Sequence, residues 1–190
     1  IQNWLKPRKK QGGYFVVVRQ IFCMIDFLGA VFTGYPIKER RTDIEGRRIS
    51  TSYKSIKFIT TFFEPHDKYE ETVVKKLHSM YRNGLIHLYQ PKILKLNSNS
   101  KLLWFFYKGR AYQKKMVLDS PIGKLIFNDV SHLSELKSPL QKNVYYLTVC
   151  IDSLYDDFEK AVIMYRNKLE KIKYLQRNWR TAVNAICKPR

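Results

Sequence analysis

KNVYYLTVCIDSLYDDFEKAVIMYRNKLEKI, residues 142–172, is the stretch on which the reading of the fold turns. Its apolar positions Val144, Leu147, Ile151, Leu154, Phe158, Val162, Tyr165, Leu169 and Ile172 recur every three or four residues. That is the spacing of one buried helix face. It predicts a long helix after Pro139 that continues past Tyr174 towards Ile186 with a break. The same period marks Tyr14–Thr33 (Val17, Ile21, Met24, Phe27, Leu28, Val31), ended by Gly34 and Pro36. It recurs over residues 51–63 (Tyr53, Ile56, Ile59, Phe62, Phe63), stopped before Pro65. A third helix is expected from near Lys68, capped by His66-Asp67, with Tyr69, Val73, Leu77, Met80 and Tyr81 on its apolar side. Between these helices lie two strand–turn–strand patterns. One is Lys92–Leu96, Asn97-Ser98-Asn99-Ser100 and Lys101–Tyr107. The other is Met116–Leu118, Ser120–Gly123 and Lys124–Phe127. The fold expected is mainly α: a helical bundle with a small β-hairpin insertion at about residues 92–128.

A chain of 190 residues is the size of one domain, so a single domain over 1–190 is expected, with residues 1–13 a basic arm. Hydrophobic residues make up 45% and aromatics 14%, which excludes a disordered basic tail. The net charge of +19 and pI near 9.9 make a nucleic acid the leading partner. Cys23, Cys150 and Cys187 are far apart and form no CxxC pattern, so neither a disulfide scaffold nor a zinc site is expected. A reducing, cytoplasmic compartment fits them. The apolar Tyr14–Tyr35 carries Arg19 and Asp26 inside and is not read as membrane-spanning, so no membrane partner is expected. His66, His78, His87 and His132 show no HxxxH or HExxH spacing, and no phosphate-cradling glycine loop occurs. No metal and no cofactor are expected.

One segment carries chemistry. Arg82-Asn83-Gly84-Leu85-Ile86-His87 ends the third helical pattern. Arg166 and Arg177 are also followed by asparagine, but neither has a histidine within reach. Arginine offers a planar fork for a phosphate. Histidine moves a proton near neutral pH. Asparagine can hold either by hydrogen bonding. These are the minimal parts for cutting an RNA phosphodiester by attack of the ribose 2′-OH. An alternative reading makes Asn83-Gly84 a helix-ending turn, with Arg82 a solvated last-turn cation.

The segment resembles the Arg-x(4–6)-His motif of HEPN-domain ribonucleases, including the polar residue after the arginine. The resemblance covers about Tyr69 to Lys92. It implies a HEPN-like helical bundle and a homodimer in which two motifs face one cleft. It also implies catalytic roles for Arg82, Asn83 and His87, and service as a toxin or in phage defence.

The basic runs point the same way. Arg40, Arg41, Arg47 and Arg48 lie in an expected loop, and Lys108, Arg110, Lys114 and Lys115 follow the first hairpin; both groups are candidate nucleic-acid contacts. Lys6–Lys10 and Lys168–Arg180 add charge, and Trp4, Tyr107, Tyr112, Tyr174 and Trp179 interleave the runs as possible stacking surfaces. The function expected is a metal-independent endoribonuclease leaving a 2′,3′-cyclic phosphate. The alternatives are a non-catalytic RNA- or DNA-binding module, and an interaction protein whose basic face docks an acidic antitoxin or regulatory partner.

Overall fold

A computed structural model describes residues 13–34, 51–84, 91–120 and 123–187. The elements in chain order are α1 (Gly13–Thr33), α2 (Thr51–Phe62), α3 (Glu71–Leu77), a π-helical turn (His78–Arg82), β1 (Leu94–Lys95), β2 (Lys101–Tyr107), β3 (Tyr112–Ser120), β4 (Gly123–Ser131), β5 (Glu135–Lys137), β6 (Val144–Cys150), α4 (Ile151–Lys171) and α5 (Lys173–Ile186). Helix accounts for 53% and strand for 25% of this structure. The fold is therefore α+β, and the expectation of a mainly α, HEPN-like bundle with a small insertion is corrected.

The correction lies in the stretch first quoted. Val144–Cys150 is not the start of a helix but a strand at the middle of a four-stranded sheet ordered β1-β2-β6-β5. β6 pairs in parallel with β2, from Lys101 opposite Val144 to Tyr107 opposite Cys150. β1 joins β2 and β5 joins β6 in antiparallel fashion. The residues explain the outcome. Val144, Tyr145, Tyr146, Thr148 and Val149 are β-branched or aromatic, types that fit a pleated surface. Tyr146–Cys150 are all buried, as in a strand covered on both faces. Such a strand lacks the alternation that would identify it. The helix proper starts at Ile151, and Ile151, Leu154, Phe158, Ala161 and Tyr165 are its buried positions. The β region thus runs on past 128, through β5 and β6.

Contacts divide the chain into two compact units. The first holds the described residues up to Gln20 and from Ser79 to Asp156. It contains the mixed sheet and the separate β3–β4 hairpin. Phe105, Tyr107, Leu125, Phe127, Val130, Tyr146 and Cys150 form its core, with Phe105 and Phe127 rings 5.5 Å apart. The second holds Ile21–His78 and the described residues from Asp157 on. Its core is aromatic: Phe32, Phe58, Phe62 and Tyr165 meet mostly edge to face, with Phe32 and Phe62 5.1 Å apart.

α1 and α2 cross closely at a glycine. A Cβ on Gly29 would stand 2.7 Å from the Lys54 carbonyl oxygen, so only glycine fits. The third helix begins at Glu71, later than expected. His66-Asp67 lie in a preceding turn, where Tyr69 N–H donates to the His66 carbonyl. Phe15–Thr33 is long and apolar enough to cross a membrane by length and composition, and 39% of it is buried in the fold. Its buried positions include Val17, Val18, Ile21, Phe22, Ile25 and Val31.

Candidate functional site

Arg82 closes the π-helical turn that extends α3. Such turns insert one residue into a helix and are frequent at functional sites. The turn is held from the residue before: Tyr81 is fully buried, donates its hydroxyl to the Leu147 carbonyl at 2.8 Å, and packs its ring 4.9 Å from Phe106. Lys92 N–H donates to the Met80 carbonyl at 2.9 Å. With Tyr81 anchored, Arg82 emerges half-buried, and its Nη1 donates to Asn83 Oδ1 at 3.1 Å. Asn83 and Gly84 are themselves in helical conformation, with the Asn83 amide oxygen accepting from the neighbouring guanidinium. His87 lies outside the described residues, as do Arg40, Arg41, Arg47 and Arg48.

The other basic candidates sit in the first unit. Lys108 and Arg110 flank Gly109 between β2 and β3, and Gly109 takes a positive φ of 103°. The loop is braced: Gly109 N–H donates to Asp152 Oδ2 at 2.7 Å, and the Tyr107 hydroxyl donates to the Ala111 carbonyl. Arg110, Lys114 and Lys115 are exposed and Lys108 is half-buried. Tyr112, also exposed, donates its hydroxyl to Asp129 at 2.5 Å, and that bond to a carboxylate raises the phenol's pKa.

Three arrangements go beyond what the sequence assigned. In the second unit, Asp26 accepts from the Ser55 hydroxyl at 2.5 Å, and His78 Nε2 lies 4.0 Å from the same carboxylate oxygen. His78 is 2% exposed, so it belongs to this buried cluster and not to an open groove. Lys54, the chain neighbour of Ser55, is 7% exposed, and burial lowers its ammonium pKa. An aspartate within the apolar α1 was the available signal. Along α4, Lys160, Lys168 and Lys171 line a groove of about 540 Å³ together with Ile163, Met164, Asn167 and Ile172. On α5, Lys173, Arg177 and Arg180 are exposed. Among the described residues, no group of three or more His, Cys, Asp or Glu side chains is placed to hold a metal ion.

No family model, curated protein or solved structure matches this chain.

Proposed function

We propose that this protein binds RNA and cleaves it at the turn bearing Arg82, with Asn83 and His87 completing the site. The observation that carries the reading is the Arg82 guanidinium, braced by Asn83 on an anchored π-helical turn in a chain of +19. A fixed, planar fork suits a phosphodiester, because two parallel N–H groups match two phosphate oxygens. In the reaction, the 2′-OH loses its proton to a base as its oxygen bonds to phosphorus. The P–O5′ bond breaks, and an acid protonates the leaving oxygen. The products are a 2′,3′-cyclic phosphate and a 5′-OH. His87 is the proton-transfer group, and Arg82 offsets the charge developing on the phosphate oxygens. His87 alone cannot be acid and base in the same step, and a two-fold partner copy would supply a second His87. Incubating the full chain with labelled RNA, with and without EDTA, tests the reading. Cleavage that survives EDTA supports it, and intact RNA under both conditions contradicts it.

A second reading, RNA binding without cleavage, is favoured by one observation. The exposed cations of α5 lie on an element other than the Arg82 turn and need no histidine to work. Retention of RNA without any cutting is its outcome in the same experiment.

A further inference from the structure

The α5 helix, KYLQRNWRTAVNAI, contains three basic residues and no acidic one. Lys173, Arg177 and Arg180 are all exposed. At 100° per residue these positions fall within about 60° of one another round the helix, in a single stripe. At 1.5 Å per residue the stripe is about 10 Å long. Tyr174, 53% exposed, borders it. Asn184 extends the line and is exposed.

The stripe is held facing outward. Leu175 and Ala182 are buried on the opposite side. Asn178 donates Nδ2 to the Phe32 carbonyl at 2.8 Å, and Gly34 lies so close that a Cβ there would stand 3.0 Å from Asn178 Oδ1. Ile172, in extended conformation, separates α5 from α4, and Gln176 Nε2 donates to the Glu170 carbonyl at 3.0 Å across that break. The helix therefore cannot turn its cations inward.

In the free protein this arrangement is unfavourable. Lys173 and Arg177, and Arg177 and Arg180, are like-charge pairs at helix-neighbour spacing. Lys173 also stands at the positive end of the helix dipole, with no acid in the first turn to offset it. An anionic ligand along the stripe relieves all three repulsions at once.

We infer that the exposed face of α5 binds single-stranded RNA, with Lys173, Arg177 and Arg180 on successive backbone phosphates and Tyr174 stacking a base. The inference rests on the RNA-binding reading and not on cleavage. Three successive phosphates of a stacked strand span two rises of ~3.4 Å, about 7 Å, within reach of long, flexible side chains spread along the stripe of about 10 Å. An exposed phenol ring beside cations is the pairing used for unstacked bases, whatever their sequence.

The test uses the full chain and a fluorescent 2′-O-methyl oligouridine, which offers the phosphates and bases but no 2′-OH to attack. Binding is followed by anisotropy from 50 to 200 mM salt. Each single-strand phosphate contact contributes about 0.7 to the log–log salt slope, so the triple variant K173Q/R177Q/R180Q should lose about 2 from it. Over that fourfold salt range, the loss makes the wild-type affinity fall about 20-fold more than the variant's. Tyr174→Leu should weaken binding at least about fivefold with the slope unchanged. All four positions are exposed, so the variants should keep the wild-type circular dichroism, and the triple variant, relieved of its like-charge repulsions, should melt no lower than the wild type. If the wild type binds and the triple variant keeps its slope and affinity, the α5 inference is overturned while RNA binding stands. Preference for a duplex over the single strand also overturns it. If the wild type does not bind the oligonucleotide but binds vesicles of anionic phospholipid, both the inference and the RNA reading fall.

Discussion

Gly29→Ala is a sign test of the helix crossing in the second unit. In an exposed helix interior, replacing glycine with alanine is stabilising by about 1 kcal/mol, because glycine loses more backbone freedom on folding. Here the new Cβ would lie 2.7 Å from the Lys54 carbonyl oxygen, 2.8 Å from its carbon and 3.0 Å from the Ser55 nitrogen. All three are backbone atoms, so no side chain can swing aside. α1 and α2 would have to separate, and that movement would disturb the Ser55–Asp26 bond and the packing of Phe32 on Phe58. Overpacking of this kind costs about 1–3 kcal/mol, and with backbone as the obstacle the upper part of that range applies. Set against the propensity gain, the net loss is about 1–2 kcal/mol. For a chain of this size, 1 kcal/mol moves Tm by about 2–4 °C, so a fall of about 2–8 °C is expected. Thermal unfolding followed by circular dichroism at 222 nm measures it, with the exposed Asn184→Ala as the propensity control. A Tm for Gly29→Ala equal to or above the wild type's would refute the close crossing.

Three further outcomes follow from the same geometry. Asn178→Ala removes the bond to the Phe32 carbonyl and should lower stability by about 1 kcal/mol, read as a reduced urea midpoint with the slope of unfolding unchanged. Burial, chiefly, pushes the Tyr165 phenol up to about 12, so its neutral form is favoured by the fold. Its contribution is complete below about pH 10 and fades as pH rises towards 12; a phenol titrating at its ordinary pH in ultraviolet difference spectra would contradict this. Arg82→Lys keeps the charge but loses the planar fork and the bond to Asn83, so cleavage should drop at least tenfold while RNA affinity changes little. Cleavage at the wild-type rate would remove Arg82 from the chemistry.

Where helices were legible, their side chains carried a helical period on one buried face. Val17, Ile21 and Val31 of α1, and Ile59 and Phe62 of α2, are buried as the spacing predicts. Phe27, counted on the same face, is instead exposed. The hairpin joining β1 and β2 was also legible, because the polar Asn97–Ser100 turn separates two apolar runs. β6 was not. Val144, Leu147 and Ile151 happen to share the spacing of a helix face, and a strand buried on both sides shows no alternation to contradict it. What decides between the two is the parallel pairing with β2, whose residues lie 43 positions earlier in register, and no local pattern encodes a contact that distant. The same limit hid the Asp26–Ser55–His78 cluster, drawn from three separate elements. At the site, residue types made Arg82 and Asn83 visible, but neither the π-helical turn nor the Tyr81 anchor that fixes it is written in a spacing rule. The basic stretch over Lys168–Arg180 was legible as charge. Its exposed stripe required knowing where the chain breaks at Ile172.

Phosphodiester cleavage by Arg82 and His87 is tested by an RNA digestion in EDTA. Wild-type chain and His87→Ala are compared on one labelled RNA and on the same oligonucleotide with a 2′-deoxy residue at the cut site. The wild type should cut RNA to a 2′,3′-cyclic phosphate and a 5′-OH and leave the deoxy site intact. His87→Ala should lose about 10²–10⁴-fold in rate, the usual worth of a positioned proton-transfer group, while binding RNA nearly as well. Wild-type cleavage by His87→Ala, or a deoxy site cut as fast as RNA, would contradict it.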